Sequence, residues 1–232
     1  QLAVSGAHGY KFEFTSEEGV RLGGWLMAPD SLTEPWPAVV LLRNRGEGRA
    51  EPQNFASGFS AALGRIVVDL RGTGDTAWAR ELDWHVRRAC AWTGRTVASM
   101  WVWDLLRAIE AVRSLPEVDG ERIVLAARGE MCVPAVYAAL LDGRLAGLLL
   151  QSPPASHDLA SPPDGTGPAL EMLRVLRYTD LPYAAGLLWP LPLAVAHPVP
   201  QTWWWTIRLY QRLGEPGRVD VLGDIRHWRP GG

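Results

Sequence analysis

The stretch that decides the fold is Glu121–Arg144, ERIVLAARGEMCVPAVYAALLDGR. Arg122–Ala127 is a short apolar run, the pattern of a strand covered on both faces of a sheet. Met131–Leu141 is long and apolar enough for a packed helix. Between them Arg128, Gly129 and Glu130 must turn the chain sharply, with glycine at the centre of the bend. Strand, tight turn and helix in that order put Gly129 at the carboxyl end of a strand, where open α/β sheets bind ligands.

The same alternation runs outward in both directions. Tyr10–Ser16 alternates apolar and polar residues, and Val20–Pro29 returns after a Glu-Glu-Gly turn, which predicts an antiparallel hairpin. Pro37–Gly46, Gly64–Thr76, Leu145–Pro154 and Pro190–Pro198 contain further buried strands, and Arg218–Gly223 a last one. Thr96–Pro116 is the strongest helix: Val97, Trp101, Leu105, Ile109 and Val112 form one stripe, and Pro116 closes it. Shorter helices are expected over Asn54–Leu63, with Asn54 as cap, over Pro168–Arg177 and over Thr202–Leu213. Ala155–Gly167, rich in Pro, Ser, Asp and Gly, reads as a loop. No internal repeat is visible. The fold class is therefore α/β, a mostly parallel sheet with an N-terminal antiparallel hairpin and helices on both faces.

Bulk composition narrows the function. The 232 residues suit a single domain over residues 1–232, on its own or within a longer protein. A net charge of −2 gives no electrostatic case for nucleic acid. No apolar run is long enough to span a bilayer, and no signal peptide is visible at Gln1. Cys90 and Cys132 lack metal-ligand spacing and are expected as free thiols, and His8, His85, His157 and His197 show no ligand pattern, so no metal is expected. Gly72-Thr73-Gly74 is too short for a phosphate loop, and no cofactor motif is present. Arg71 and Asp75 in that loop are expected to tie it to its neighbours. The outlier is tryptophan, with 12 residues.

Four segments carry a resemblance to a known family: DLRGTGDT at Asp69–Thr76, VWDLLRAIEAVRSLPEVDGERIVLAA at Val102–Ala127, YAALLDGRLAGLLLQSPP at Tyr137–Pro154 and DLPYAAGLLWPLPLAVAHP at Asp180–Pro198. In these segments and in the order of its elements the sequence resembles the α/β-hydrolases, specifically their acetyl xylan esterase and dienelactone hydrolase-like branch. The resemblance runs from Tyr10 to His227. It implies ester hydrolysis by a serine on a strained turn, flanked by small residues and served by a histidine that a carboxylate orients. It also leans toward a secreted or periplasmic setting.

Carried over residue by residue, the catalytic set is incomplete. The family's nucleophile falls seven residues beyond the arginine that leads its strand, and counting from Arg122 gives Gly129. The G-x-S-x-G box thus lands on Ala127–Met131, with neither the serine nor its flanking glycines. The acid would follow Leu193–Ala196, where the chain reads HPVPQTWWW without a carboxylate. His227 stands where the family carries its base, with Asp224 nearby. The oxyanion position falls on RNRGEG, Arg43–Gly48, with Arg43 and Asn44 at its head, at one side and on the Glu130 N–H at the other.

These residues imply an esterase-like domain that has lost its chemistry and serves a structural, partner-binding or ligand-binding role. The alternative is an active carbohydrate or carboxyl esterase with a rearranged site, using Cys132 or a water activated through Glu130 and His227. Against it, Cys132 is expected to be buried against the sheet and Glu130 to be an exposed glutamate at a helix N-terminus. Trp78, Trp84 and Trp92 are expected in the loop after DLRGTGDT, which borders the site in the family. Trp203, Trp204 and Trp205 begin a helix, where consecutive side chains diverge by about 100°, so at least one must leave the core. Exposed indoles at either place suit a carbohydrate ring or another protein chain.

Overall fold

Eight strands form one sheet: β1 (Ala7–Glu17), β2 (Val20–Pro29), β3 (Trp36–Leu42), β4 (Gly64–Asp69), β5 (Val118–Arg128), β6 (Gly147–Gln151), β7 (Leu193–Ala196) and β8 (Val219–Leu222). The computed structural model describes residues 7–29, 35–159, 162, 167–214 and 216–228. The strand order is β1-β2-β4-β3-β5-β6-β7-β8. β2 runs antiparallel to both β1 and β4; every other pairing is parallel. This is the mostly parallel sheet with an antiparallel hairpin that the apolar runs predict.

Alternation along the central strands feeds two cores. Val40, Leu42, Ile123, Leu125, Ala127, Leu148 and Leu150 face a large cluster with α3 (Val97–Arg113), α4 (Cys132–Asp142), α5 (Leu181–Gly186) and α6 (Trp204–Arg212). Val39, Leu41, Val67, Val124 and Ala126 face a smaller one closed by Phe55 and Phe59, and by Trp228 from the C-terminal segment. Phe55 lies on α1 (Ala50–Ala56).

The predicted stripe of α3 is buried as expected. Thr96 caps it: its hydroxyl accepts from Ser99 N while the Ser99 hydroxyl accepts from Thr96 N, which satisfies two N–H groups at the helix start. Asp104 of α3 is fully buried, and the Arg71 guanidinium meets both of its oxygens while also reaching Glu17 of β1. Asp75 pairs with Lys11 at 2.6 Å. The DLRGTGDT loop is thereby fastened to helix and hairpin, the role expected of Arg71 and Asp75.

Three local expectations fail. The helix placed at Asn54–Leu63 is α1, Ala50–Ala56; Asn54 lies inside it, and residues 57–63 form turns that bring Phe59 into the second core. Pro168–Arg177 is not a helix but an irregular segment ending in a short 3-10 turn at Val175–Arg177, with Arg174 left-handed (φ +63°). The chain after the DLRGTGDT loop is not all loop: Asp83–Trp92 forms a further helix, α2, so Trp84 and Trp92 are helical. Part of the predicted Ala155–Gly167 loop lies outside the described residues.

Candidate functional site

β5 ends at Arg128 in extended conformation, Gly129 follows with φ +56°, and one 3-10 turn leads into α4. That positive φ is costly for any residue bearing a Cβ. The bend is a tight strand-to-helix turn with positive φ, and Gly129 presents hydrogen at its centre. A Cβ built on Gly129 would meet only Asn44 Oδ1, at 3.7 Å, so a small side chain has room there.

Beside the bend lies a cleft of about 520 Å³, lined among others by Arg45, Trp78, Arg80, Asp83 and Glu130. Its centre is an ion network. Arg45 Nε and Nη2 meet the two oxygens of Glu130, each at 3.1 Å, and Arg45 Nη1 donates to Asp83 Oδ2 at 2.9 Å. Arg45 Nη2 also donates to the Gly167 carbonyl, and the guanidinium lies 5.8 Å over the Trp101 ring. The other members are held in turn: Glu130 Oε2 accepts from Ala169 N, and Asp83 Oδ1 from Trp78 Nε1. Burial works against the Arg45 charge, but Glu130 and Asp83 outweigh it and hold its pKa above the ordinary value. Glu130 is therefore not the exposed glutamate expected; its side chain is 11% accessible and both its oxygens are engaged. A carboxylate whose oxygens are both engaged by an arginine, one of them by a backbone N–H as well, is poorly placed to activate a water.

The oxyanion region is likewise committed. Asn44 N and Nδ2 both donate to the Glu47 carboxylate at 3.0 Å, which turns Oδ1 toward Gly129. An acceptor there opposes the negative charge that a hydrolytic site must stabilise with donors. Arg43 does not join the cleft. It follows the inner parity of β3, turns to the opposite sheet face and lies 3.1 Å from Asp69.

None of the remaining candidates comes within 4 Å of a Cβ built on Gly129. Cys132 is fully buried; its thiol points to the Gln151 carbonyl, and burial pushes its pKa up. His227 is exposed in a 3-10 turn. The Asp224 carboxylate is taken by Arg226, through its backbone N–H and its guanidinium, and is held down to about 2. It does not orient His227. After β7 the chain passes through a cis His197–Pro198 bond to Trp203, which is buried with its N–H on the Pro154 carbonyl. A buried histidine, His157, is structural: it bonds the Leu170 carbonyl through Nδ1 and the Tyr137 hydroxyl through Nε2. Among the described residues no group of three or more His, Cys, Asp or Glu could hold a metal ion, and no helix is long and apolar enough to cross a membrane.

A family model, Acetyl xylan esterase (AXE1), matches residues 1–157, from the hairpin through the Gly129 bend to the end of the following strand. The chain belongs to the acetyl xylan esterase family. Solved structures extend the likeness over the rest of this family member. A presumptive acetyl xylan esterase from Bacteroides fragilis NCTC 9343 superposes with a TM-score of 0.74 at 13% identity, covering 94% of this chain and 67% of its own. Acetyl xylan esterase from Paenibacillus sp. R4 gives 0.61 at 18% identity, covering 100% and 81%. A dienelactone hydrolase-like promiscuous phosphotriesterase from metagenomic libraries gives 0.61 at 17%, covering 94% and 82%. At such identities the likeness is one of fold, and that fold is the α/β-hydrolase fold the sequence motifs imply. No curated protein sequence matches.

The sequence placed Arg45 inside the Arg43–Gly48 segment but did not show its pairing, and Asp83 carried no signal. Arg45 was visible only as a second arginine after β3; its partner Glu130 is 85 residues away.

The aromatic candidates separate by exposure. Trp203 is buried, whereas Trp204 and Trp205 are exposed, Trp205 packing edge-on to Tyr183. On α2, Trp84 and the largely exposed Trp92 hold Arg88 between them, each ring centroid 4.9 Å from the guanidinium carbon. Trp78 instead packs over Gly72 and gives its N–H to Asp83.

Proposed function

We propose that this chain is a catalytically degenerate member of the acetyl xylan esterase family, a domain that binds rather than hydrolyses. The observation that carries this reading is the Arg45–Glu130 pair beside a bend whose centre, Gly129, has no side chain. Loss of the serine alone costs a serine hydrolase on the order of 10⁶ in turnover. Here the region after β7 also lacks a carboxylate, and Asp224 is bound to Arg226 rather than to His227. The buried, carbonyl-bonded Cys132 and the arginine-clamped Glu130 give the rearranged-esterase reading little support.

Binding falls to the exposed aromatics: the Trp84–Arg88–Trp92 face of α2 and the Tyr183–Trp205 pair of α5 and α6. Flat indoles of this exposure suit a carbohydrate ring or another protein chain. A fluorophosphonate probe should leave the protein unlabelled. Its mobility in a gel containing acetylated xylan should be retarded, and Trp84→Ala with Trp92→Ala should abolish that retardation. Unretarded migration turns the binding role toward a protein partner, and labelling overturns the degenerate reading.

A further inference from the structure

On the sheet face opposite the cleft, a separate cavity of about 120 Å³ opens between β2, the loop after β3 and α1. A single water needs only about 10–15 Å³ of such space, so the cavity admits a small organic molecule. Its apolar walls include Trp25, Met27, Pro52 and Val67. The charged side chains lining it are Arg43 and Arg49, both cationic.

Arg43 is the unusual member. Its side chain is only 6% accessible. Its charge is balanced by Asp69 at 3.1 Å, but neither Arg43 Nε nor Asp69 Oδ1 has a hydrogen-bond partner. Its terminal nitrogens make no hydrogen bond among the described residues either, and Arg43 lines the cavity. Five N–H donors form a guanidinium's fork, and the buried Nε among them is left without a partner, which is costly. Asp69 does not line the cavity, and no carboxylate is among its lining residues. At the rim, Arg49 stacks 4.9 Å over Trp25, which places a second cation beside a flat apolar surface.

We infer that this cavity is a binding site for a small carboxylate with a flat or apolar body. The carboxylate oxygens take the terminal nitrogens of Arg43 as a bidentate pair, Arg49 adds charge from the rim, and the body lies against Trp25, Met27 and Val67. A purely apolar ligand would leave the Arg43 donors unused. A bare inorganic anion would leave the apolar wall uncovered. The two features together select the class.

The test uses benzoate as probe and benzamide as its uncharged counterpart, titrated at constant ionic strength by calorimetry and by shifts of the Trp25 indole N–H resonance, assigned with Trp25→Phe. Benzoate should bind saturably in the millimolar range or tighter, benzamide at least tenfold more weakly. Arg43→Met should abolish binding. Because Arg43 is buried and that variant risks misfolding, the exposed Arg49→Ala provides the second arm and should weaken benzoate three- to tenfold. Absence of saturable binding, equal binding of benzamide, a Trp25 resonance that does not move, or benzoate affinity unchanged in Arg49→Ala would each overturn the inference.

Discussion

Arg45 grips both carboxylate oxygens of Glu130, at 3.1 Å each, one residue beyond the bend where the family carries its nucleophile. Glu130 thereby fixes the start of α4, the Ala169 segment and the loop after β3 to one point. Glu130→Ala should leave Arg45 only partly neutralised by Asp83 and cost roughly 2–3 kcal/mol. Chemical denaturation should show it, and replacing Arg45 and Glu130 together with methionine should recover much of the loss.

Gly129→Ser should fold, since only Asn44 Oδ1 comes near the new Cβ. Placing a side chain at φ +56° costs about 1–2 kcal/mol, which lowers Tm by roughly 2–8 °C in a chain of this size. Turnover of p-nitrophenyl acetate should not appear, because the new hydroxyl would have no oriented imidazole. Appearance of turnover would locate an acid and base that this account does not recognise.

The tryptophans should divide sharply. Trp101→Ala and Trp203→Ala remove fully buried rings and should each cost about 3–5 kcal/mol. Trp92→Ala, at 77% exposure, should change stability by no more than about 0.5 kcal/mol. Thermal melts of the three variants check the division.

Asp180 supplies a pH signature. Burial raises its pKa, but bonds from the Ser156 side chain and from His157 N and Leu181 N outweigh this and hold it below the unfolded value of 3.8. A depressed carboxylate contributes stability that is present above the unfolded pKa and lost as pH falls through the folded one. The stability gap between wild type and Asp180→Asn should therefore be largest near pH 6 and shrink toward pH 3, as measured by urea unfolding at each pH.

The sheet was legible because its strands are continuous apolar runs, and Gly129 was legible because the family resemblance counts seven residues from Arg122 to the bend. Helix α2 was not, for a physical reason. Trp84, Arg88 and Trp92 share its exposed face, so its hydrophobic residues mark the solvent side instead of a core stripe. The Arg45–Asp83–Glu130 network was hidden because its members come from the loop after β3, the start of α2 and the turn after β5, which are distant in sequence, and charge alone does not reveal which residues meet. Arg43 and Asn44 are adjacent in sequence, yet strand parity sends them to opposite faces of the sheet.

The central claim is that no attacking group is poised at the bend. Its most direct test is the rate of acetate release from p-nitrophenyl acetate and from acetylated xylan, by wild type and by His227→Ala. Rates indistinguishable from buffer for both proteins are the expected result; saturable turnover by wild type that disappears in His227→Ala would contradict it.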